Sequence, residues 1–273
     1  LPCALQAKDT ALITGDNVRE ERIDGPDGVL SVRLYGSGVP VLALHGYSDS
    51  GFSFARLAEN MHGYCLIAPD FRGHGKSGTN SKEITIEKLV DDAEAVFETI
   101  AIEQPFVIGH SMGAMTAIGL AARRRVRALA VIAGALAVPV DTAANLRNHV
   151  MRLLRSNREA ESVFSDWHRC ERPIPADFAA QLAKEARRLA PETWQAGLDA
   201  ILAANVTANA KRVLDRAMIL YGSEDQLFYP AIQHGLASAL RADQRVEMPG
   251  VGHNPHWEAP EAVAGHLRGF FRA

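Results

Sequence analysis

Along most of the chain, short unbroken apolar runs alternate with stripes of hydrophobic residues at helical spacing. "VPVLALHG" (39–46), "YCLIAPD" (64–70), "PFVIGHS" (105–111), "RALAVIAG" (127–134) and "AMILYGSED" (217–225) each open on a run too short for a helix and too uniformly apolar for a strand with one wet face. They predict strands covered on both sides, the signature of a mostly parallel sheet between helical layers. Between them, Leu89, Val90, Ala93, Phe97 and Ile100 mark one face of a helix over 86–101. Further helices are expected near 52–61, over 112–123, near 230–240 and at the C-terminus, where Val263, Leu267, Phe270 and Phe271 form the stripe. "VREERID" and "VLSVRLYG" flank "GPDG" and predict an opening antiparallel hairpin. "QRVEMPGVGH" (244–253) predicts a last strand leading into a loop.

The alternation stops between residues 140 and 212. Here the stripes are all helical: Leu146, Val150, Leu153 and Leu154; then Phe178, Leu182 and Leu189; then Trp194, Leu198, Ile201 and Leu202. Pro175 and Pro191 stand where helices can begin. The pattern predicts one α/β core made of 1–139 and 213–273, with 140–212 inserted as a helical cap.

With 47% hydrophobic residues, 22% charged residues and a net charge of -3, the chain resembles an ordinary globular protein. Acids outnumber bases and no basic block occurs, which argues against nucleic acid as a partner. The longest apolar run ends in "GALAVPV", too short and too interrupted to cross a bilayer, so no membrane association is expected. Lys8 and Asp9 interrupt the N-terminal stretch where an export signal would need an apolar core. Cys3, Cys65 and Cys170 are odd in number and far apart, matching neither a disulfide framework nor a metal cluster. A cytoplasmic location and a small-molecule partner are expected.

Candidate chemistry centres on "FVIGHSMGAM" (106–115), where Ser111 stands between Gly109 and Gly113. A Gly-x-Ser-x-Gly match also fits a plain loop, but a strand before it and a helix after it form the setting a nucleophile elbow requires. Small residues permit the tight turn, and the following helix aims its positive end at any charge forming there. A serine hydroxyl needs a base, itself oriented by a third group. His253 and Asp225 each follow a late strand and fall on the same carboxyl edge of the sheet, where ligands bind in open α/β folds.

"LALHGYSDS", "APDFRGHGKS", "IGHSMG", "YGSEDQLF" and "GVGHNPHWEAPE", in that order and with a helical insertion before the fourth, resemble segments of the α/β-hydrolase superfamily from about residue 29 onward. The resemblance implies an α/β-hydrolase fold and a hydrolase with Ser111 as nucleophile, His253 as general base and then acid, and Asp225 as the carboxylate holding the imidazole. Glu224 and Asp141 are the other candidates for that acid. It further implies an oxyanion hole from the backbone N–H groups of Tyr47 and Met112, and neither cofactor nor metal. Aspartate is absent from the nucleophile position, which sets aside the dehalogenase and epoxide hydrolase branches. A non-catalytic ligand-binding protein on the same fold is the alternative of another class.

Substrate choice is expected to lie in the helical insertion, where "LRNHVMRLLRSNR" carries Arg147, Arg152, Arg155 and Arg158 without an acid, followed by Arg169 and Arg172. Arginines opposite a leucine stripe usually form a solvated face. If some turn inward, the guanidinium fork suits carboxylates, with Arg147 and Arg172 as the candidates. That reading expects amide hydrolysis of a small dicarboxylate; the alternative is a carboxylesterase or lactonase acting on a small neutral substrate. His45 and His74 are expected to stabilise loops, His110 to fill the variable elbow position, and "DFRGHGKSG" to be a structural turn without phosphate-loop spacing.

Overall fold

The computed structural model describes residues 12–13, 18–81, 83–100, 103–155 and 167–272. Cys3 and Arg158 lie outside them. Nine strands among these residues form a single sheet in the order β1-β2-β3-β5-β4-β6-β7-β8-β9. The first three, β1 (Leu12–Ile13), β2 (Val18–Gly25) and β3 (Gly28–Gly36), run antiparallel, and β3 pairs antiparallel with β5 (Tyr64–Pro69). From β5 onward, β4 (Val39–Leu44), β6 (Phe106–His110), β7 (Ala128–Ile132), β8 (Ala217–Gly222) and β9 (Gln244–Met248) pair in parallel. The predicted hairpin is present, closed by Pro26-Asp27 between the paired Gly25 and Gly28.

Every residue of β5, β6, β7 and β8 is buried, which is why their sequences read as continuous apolar runs. The two-residue strand period divides them between two cores. Leu42, Leu44, Val107, Leu129, Val131 and Ile219 face the layer containing α2 (Ile86–Thr99) and α3 (Met112–Arg123). Val41, Ala43, Ile108, Ala130, Ile132 and Leu220 face the layer of Val263, Leu267, Phe270 and Phe271 from the C-terminal helix. The helix expected near 52–61 is shorter than that: a 3₁₀ turn, Gly51–Phe54, runs into one α turn, α1 (Ala55–Ala58). The chain must turn back into β5 at once, and backbone bonds from Asn60 to Leu57 and from Met61 to Ala58 tighten its end.

Between β7 and β8 the described residues hold α4 (Val140–Arg155), α5 (Ala176–Arg188), α6 (Pro191–Ala203) and α7 (Thr207–Arg212). Pro191 occupies the first helical turn of α6, where its missing N–H costs nothing, and Pro175 caps α5. This segment is fastened to the sheet from below. Arg33 on β3 bonds Asp70 at 2.7 Å and reaches Glu185 of α5 at 3.4 Å, all three buried. Tyr47 donates its hydroxyl proton to the Trp194 carbonyl of α6 at 2.5 Å and meets the Trp194 ring edge-on.

The chain closes with α8 (Pro230–Leu240), the one-turn α9 (Pro255–Glu258) and α10 (Pro260–Arg272). None of the described helices is long and apolar enough to cross a membrane. Cys65 is buried in β5, as its setting suggested.

Candidate active site

Ser111 sits on the sharp turn between β6 and α3 with φ of 53° and ψ of -114°, a backbone conformation few side chains adopt. The turn closes only because its flanks are bare. A Cβ on Gly109 would stand 2.3 Å from the Gly113 carbonyl oxygen, and one on Gly113 2.1 Å from that of Leu44. Backbone bonds hold the strained residue: Ser111 N–H donates to Ile132 on β7, while its carbonyl accepts from Ala114 in α3. Strain imposed by its surroundings in this way is typical of sites where function needs it.

Two other loops of the same sheet edge deliver the partners. Asp225 follows β8; its Oδ1 accepts the backbone N–H of Leu227 and of Phe228, both at 2.9 Å, and its Oδ2 lies 2.9 Å from His253 Nδ1. His253 precedes α9, and its Nε2 lies 2.9 Å from Ser111 Oγ. A carboxylate can only accept, so Nδ1 carries the imidazole proton and Nε2 presents a lone pair to the serine hydroxyl. Burial would raise the Asp225 carboxyl, but the charge and ring N–H of His253, with the two backbone donors, hold it below the usual carboxylate range. Burial likewise disfavours charge on His253; the Asp225 charge and hydrogen bond outweigh it and raise the imidazole above its ordinary value. Glu224 instead accepts from Ser223 at the exposed rim, and Asp141 is exposed in the first turn of α4.

The N–H of Met112 opens α3, one of the donors a helix start leaves without an intrahelical acceptor. Tyr47 lies in the loop after β4, before Ser48, whose φ is 64°. The loop histidines are structural, as expected. His45 donates from Nδ1 to the Gly46 carbonyl and accepts the Phe71 N–H at Nε2, so it is neutral, and burial pushes its pKa well down. The "DFRGHGKSG" turn is organised by Asp70, which accepts from the N–H groups of Gly51 and Lys76.

Above Ser111 and His253 opens a cavity of about 280 Å³. Its wall is largely apolar and aromatic, with Tyr47, Leu146, Trp167, Ile201, Phe228 and Trp257 contributing. Thr142, Asn145, Leu146 and His149 line it from α4 at i, i+3, i+4 and i+7. Arg147 does not join them: it is exposed and, at 100° per residue, stands about 150° around the helix from that face. Arg172 is exposed and bonds the carbonyls of Gly250 and Pro249 on the outer side of the His253 loop. Neither expected carboxylate-binding arginine therefore lines the cavity; Arg169, at its mouth, does. Arg152 and Arg155 are exposed as well. Among the described residues no group of His, Cys, Asp and Glu could hold a metal.

Sequence reasoning missed two residues of this wall. Asp49, four residues past His45, is buried and lines the cavity. His110 does more than fill the elbow, since its Nε2 donates to the His253 carbonyl at 3.0 Å.

Residues 41–266 match the model of a family described as the alpha/beta hydrolase family. The chain is 25% identical over 254 residues to Lipase 1 of Psychrobacter immobilis, covering 86% of this chain and 77% of that one. It is also 25% identical over 279 residues to a 2-(acetamidomethylene)succinate hydrolase of Mesorhizobium japonicum, covering 96% and 98%. Among solved structures it resembles a thermophilic esterase from Thermogutta terrifontis, with a TM-score of 0.75 at 21% identity, covering 93% of this chain and 98% of that one.

Proposed function

The chain belongs to the alpha/beta hydrolase family and is a hydrolytic enzyme for ester or amide bonds, and from that premise we propose that it is a serine carboxylesterase for a small neutral ester. The observation that carries this reading is the Ser111–His253–Asp225 hydrogen-bonded chain opening into a largely apolar cavity. About 280 Å³ is at the lower end of small-molecule pockets, which suits a compact substrate.

In the proposed reaction Ser111 Oγ attacks the ester carbonyl while His253 Nε2 takes its proton, and the oxyanion rests on the N–H groups of Tyr47 and Met112. His253 then hands the proton to the departing alcohol as the acyl C–O bond breaks. Water, deprotonated by the same imidazole, releases the acid and restores the serine. Asp225 keeps the imidazole in the tautomer this sequence needs.

Amide hydrolysis of 2-(acetamidomethylene)succinate, as in vitamin B6 degradation, is the second reading, and the end-to-end match to the Mesorhizobium japonicum relative favours it. Two substrate carboxylates entering an apolar cavity lose hydration and need charged partners. Among the described arginines Arg169 alone lines this cavity, beside Glu171 and Glu224, so the neutral ester is preferred. A paired screen of free acids and their methyl esters tests the choice: preference for the methyl esters supports the esterase, and preference for the free dicarboxylic acids supports the amidase. Labelling of Ser111 by a serine-directed phosphonate separates either enzyme from a binding-only protein.

A further inference from the structure

Three carboxyl side chains line the cavity, and they differ in kind. Glu171 and Glu224 stand exposed at the mouth, whereas Asp49 is only 5% exposed. Among the described residues the basic groups within 4.0 Å of its carboxyl are two histidines, His110 Nδ1 at 3.9 Å from Oδ2 and His168 Nε2 at 4.0 Å from Oδ1. No lysine or arginine of the described residues pairs with it. A buried carboxylate without a cation is costly enough that such groups neutralise instead.

The neighbouring histidine indicates where the neutralising proton is directed. A carbonyl oxygen can only accept, so the bond from His110 Nε2 to the His253 carbonyl puts the ring proton on Nε2. His110 Nδ1 then presents a lone pair, buried and without a hydrogen-bond partner, towards Asp49 Oδ2. Two electron-rich atoms face each other across a gap about 1 Å longer than a hydrogen bond. A proton on either one resolves the conflict. His110 is 2% exposed and packed against the rings of His253 and His256. Burial and the nearby His253 push its pKa down to about 3, while burial pushes Asp49 up to about 7.

We propose that Asp49 is a positioning residue: it carries a proton directed at His110 Nδ1, and through His110 it steadies the loop that holds His253 over Ser111 while presenting the cavity with a neutral carboxyl. The inference rests on the esterase reading only for its kinetic consequence. When Asp49 loses its proton, a second negative charge stands beside His253 in addition to Asp225. His253 then holds its own proton more tightly, so at a given pH a smaller fraction of it is neutral and free to take the serine proton. The other titratable groups around this centre are His168 from the segment after α4, Cys170 beside it, Glu258 of α9, and Arg169, Glu171 and Glu224 at the mouth.

Asp49→Asn separates this role from simple packing, because the amide is neutral at every pH and still offers an N–H to His110. The acid limb of its kcat/KM profile should move to lower pH by roughly half to one unit, with plateau kcat falling less than tenfold. Asp49→Ala, which offers no donor, should lose more than tenfold in kcat with KM nearly constant. A folded Asp49→Asn enzyme with an unmoved limb would overturn the proposal. Infrared difference spectra between about pH 5.5 and about pH 8.5 give a readout independent of turnover. The wild type should lose a protonated-carboxyl band that Asp49→Asn lacks. Absence of that band in the wild type would place the proton on His110 and overturn the assignment, even if the asparagine variant failed to fold and whatever the substrate proved to be.

Discussion

The carboxyl edge of the sheet and the helical segment above it solve opposite problems. At the edge, each reacting group is pinned by backbone: Ser111 by Ile132 and Ala114, Asp225 by Leu227 and Phe228, the His253 loop by His110. In the helical segment, α4 turns Thr142, Asn145, Leu146 and His149 to the cavity while its arginines face water. The chemistry is therefore fixed by short local turns, each following its own strand. Which side chains of the helical segment reach the cavity depends on how its helices sit about their axes, a long-range property. Substitutions at the edge should cost orders of magnitude in rate, and substitutions on the outer helical face almost nothing.

The largest effect is expected at Ser111. Ser111→Ala removes the attacking atom and leaves the turn, its glycines and its backbone bonds in place. Turnover of a short-chain p-nitrophenyl ester should fall on the order of 10⁵-fold, because members of such a unit fail together, while the thermal midpoint stays within a few degrees. A rate near wild type would remove the edge from the chemistry altogether.

Next comes the acid. Asp225→Asn leaves the geometry but allows the imidazole to turn its lone pair to the wrong side, a loss of about 10³- to 10⁴-fold in kcat. Asp141→Asn and Glu224→Gln should each change kcat less than about threefold, since neither carboxylate touches His253 in the structure. If Asp141→Asn were the crippling change, the acid would come from the helical segment and the contrast between the regions would fail.

Much of this contrast was legible in the sequence, and unevenly. The Ser111, Asp225 and His253 segments could be read because each stands directly after an apolar run, so chain order alone places them on one edge. The helix over 112–123 and the hairpin at Gly25 were equally plain, being set by local spacing and turn chemistry. Arg147 was misread for a physical reason: the stripe of Leu146, Val150 and Leu153 shows which face is buried, but not which side of that face borders a cavity. Asp49 was missed because a polar residue in a loop carries no sign of burial until His110, His168 and the rest of the wall close around it.

Proton affinity at the edge predicts a third, smaller effect. His253 acts as a base only when neutral, and the Asp225 charge raises its pKa above the ordinary 6.5. Activity should therefore rise with pH and reach half its plateau above pH 6.5, falling about tenfold per unit on the acid side. A kcat/KM profile measured with a substrate that does not itself titrate checks this. A midpoint well below 6.5 would mean that desolvation of the imidazole outweighs the Asp225 charge, and that the hydrogen bond between them is weaker than its 2.9 Å implies.

The smallest effect should come from the arginines, and it bears most directly on substrate choice. Arg147 is exposed on the side of α4 turned away from the cavity, so Arg147→Ala should alter kcat/KM less than about twofold for neutral and anionic substrates alike. Arg172→Ala is a finer instrument. Its guanidinium bonds two carbonyls of the loop that carries His253, so its loss should lower kcat modestly and equally for both substrate classes through a looser base. A carboxylate-binding role would instead raise KM for the free acid alone, typically by tenfold or more for a charge-assisted pair. The ratio of the two substrates' kcat/KM values in Arg172→Ala cancels any effect on His253 and isolates binding. A ratio unchanged from wild type assigns Arg172 to the loop, whereas a ratio shifted tenfold toward the ester would bring the helical segment's arginines back to the substrate and restore the dicarboxylate reading.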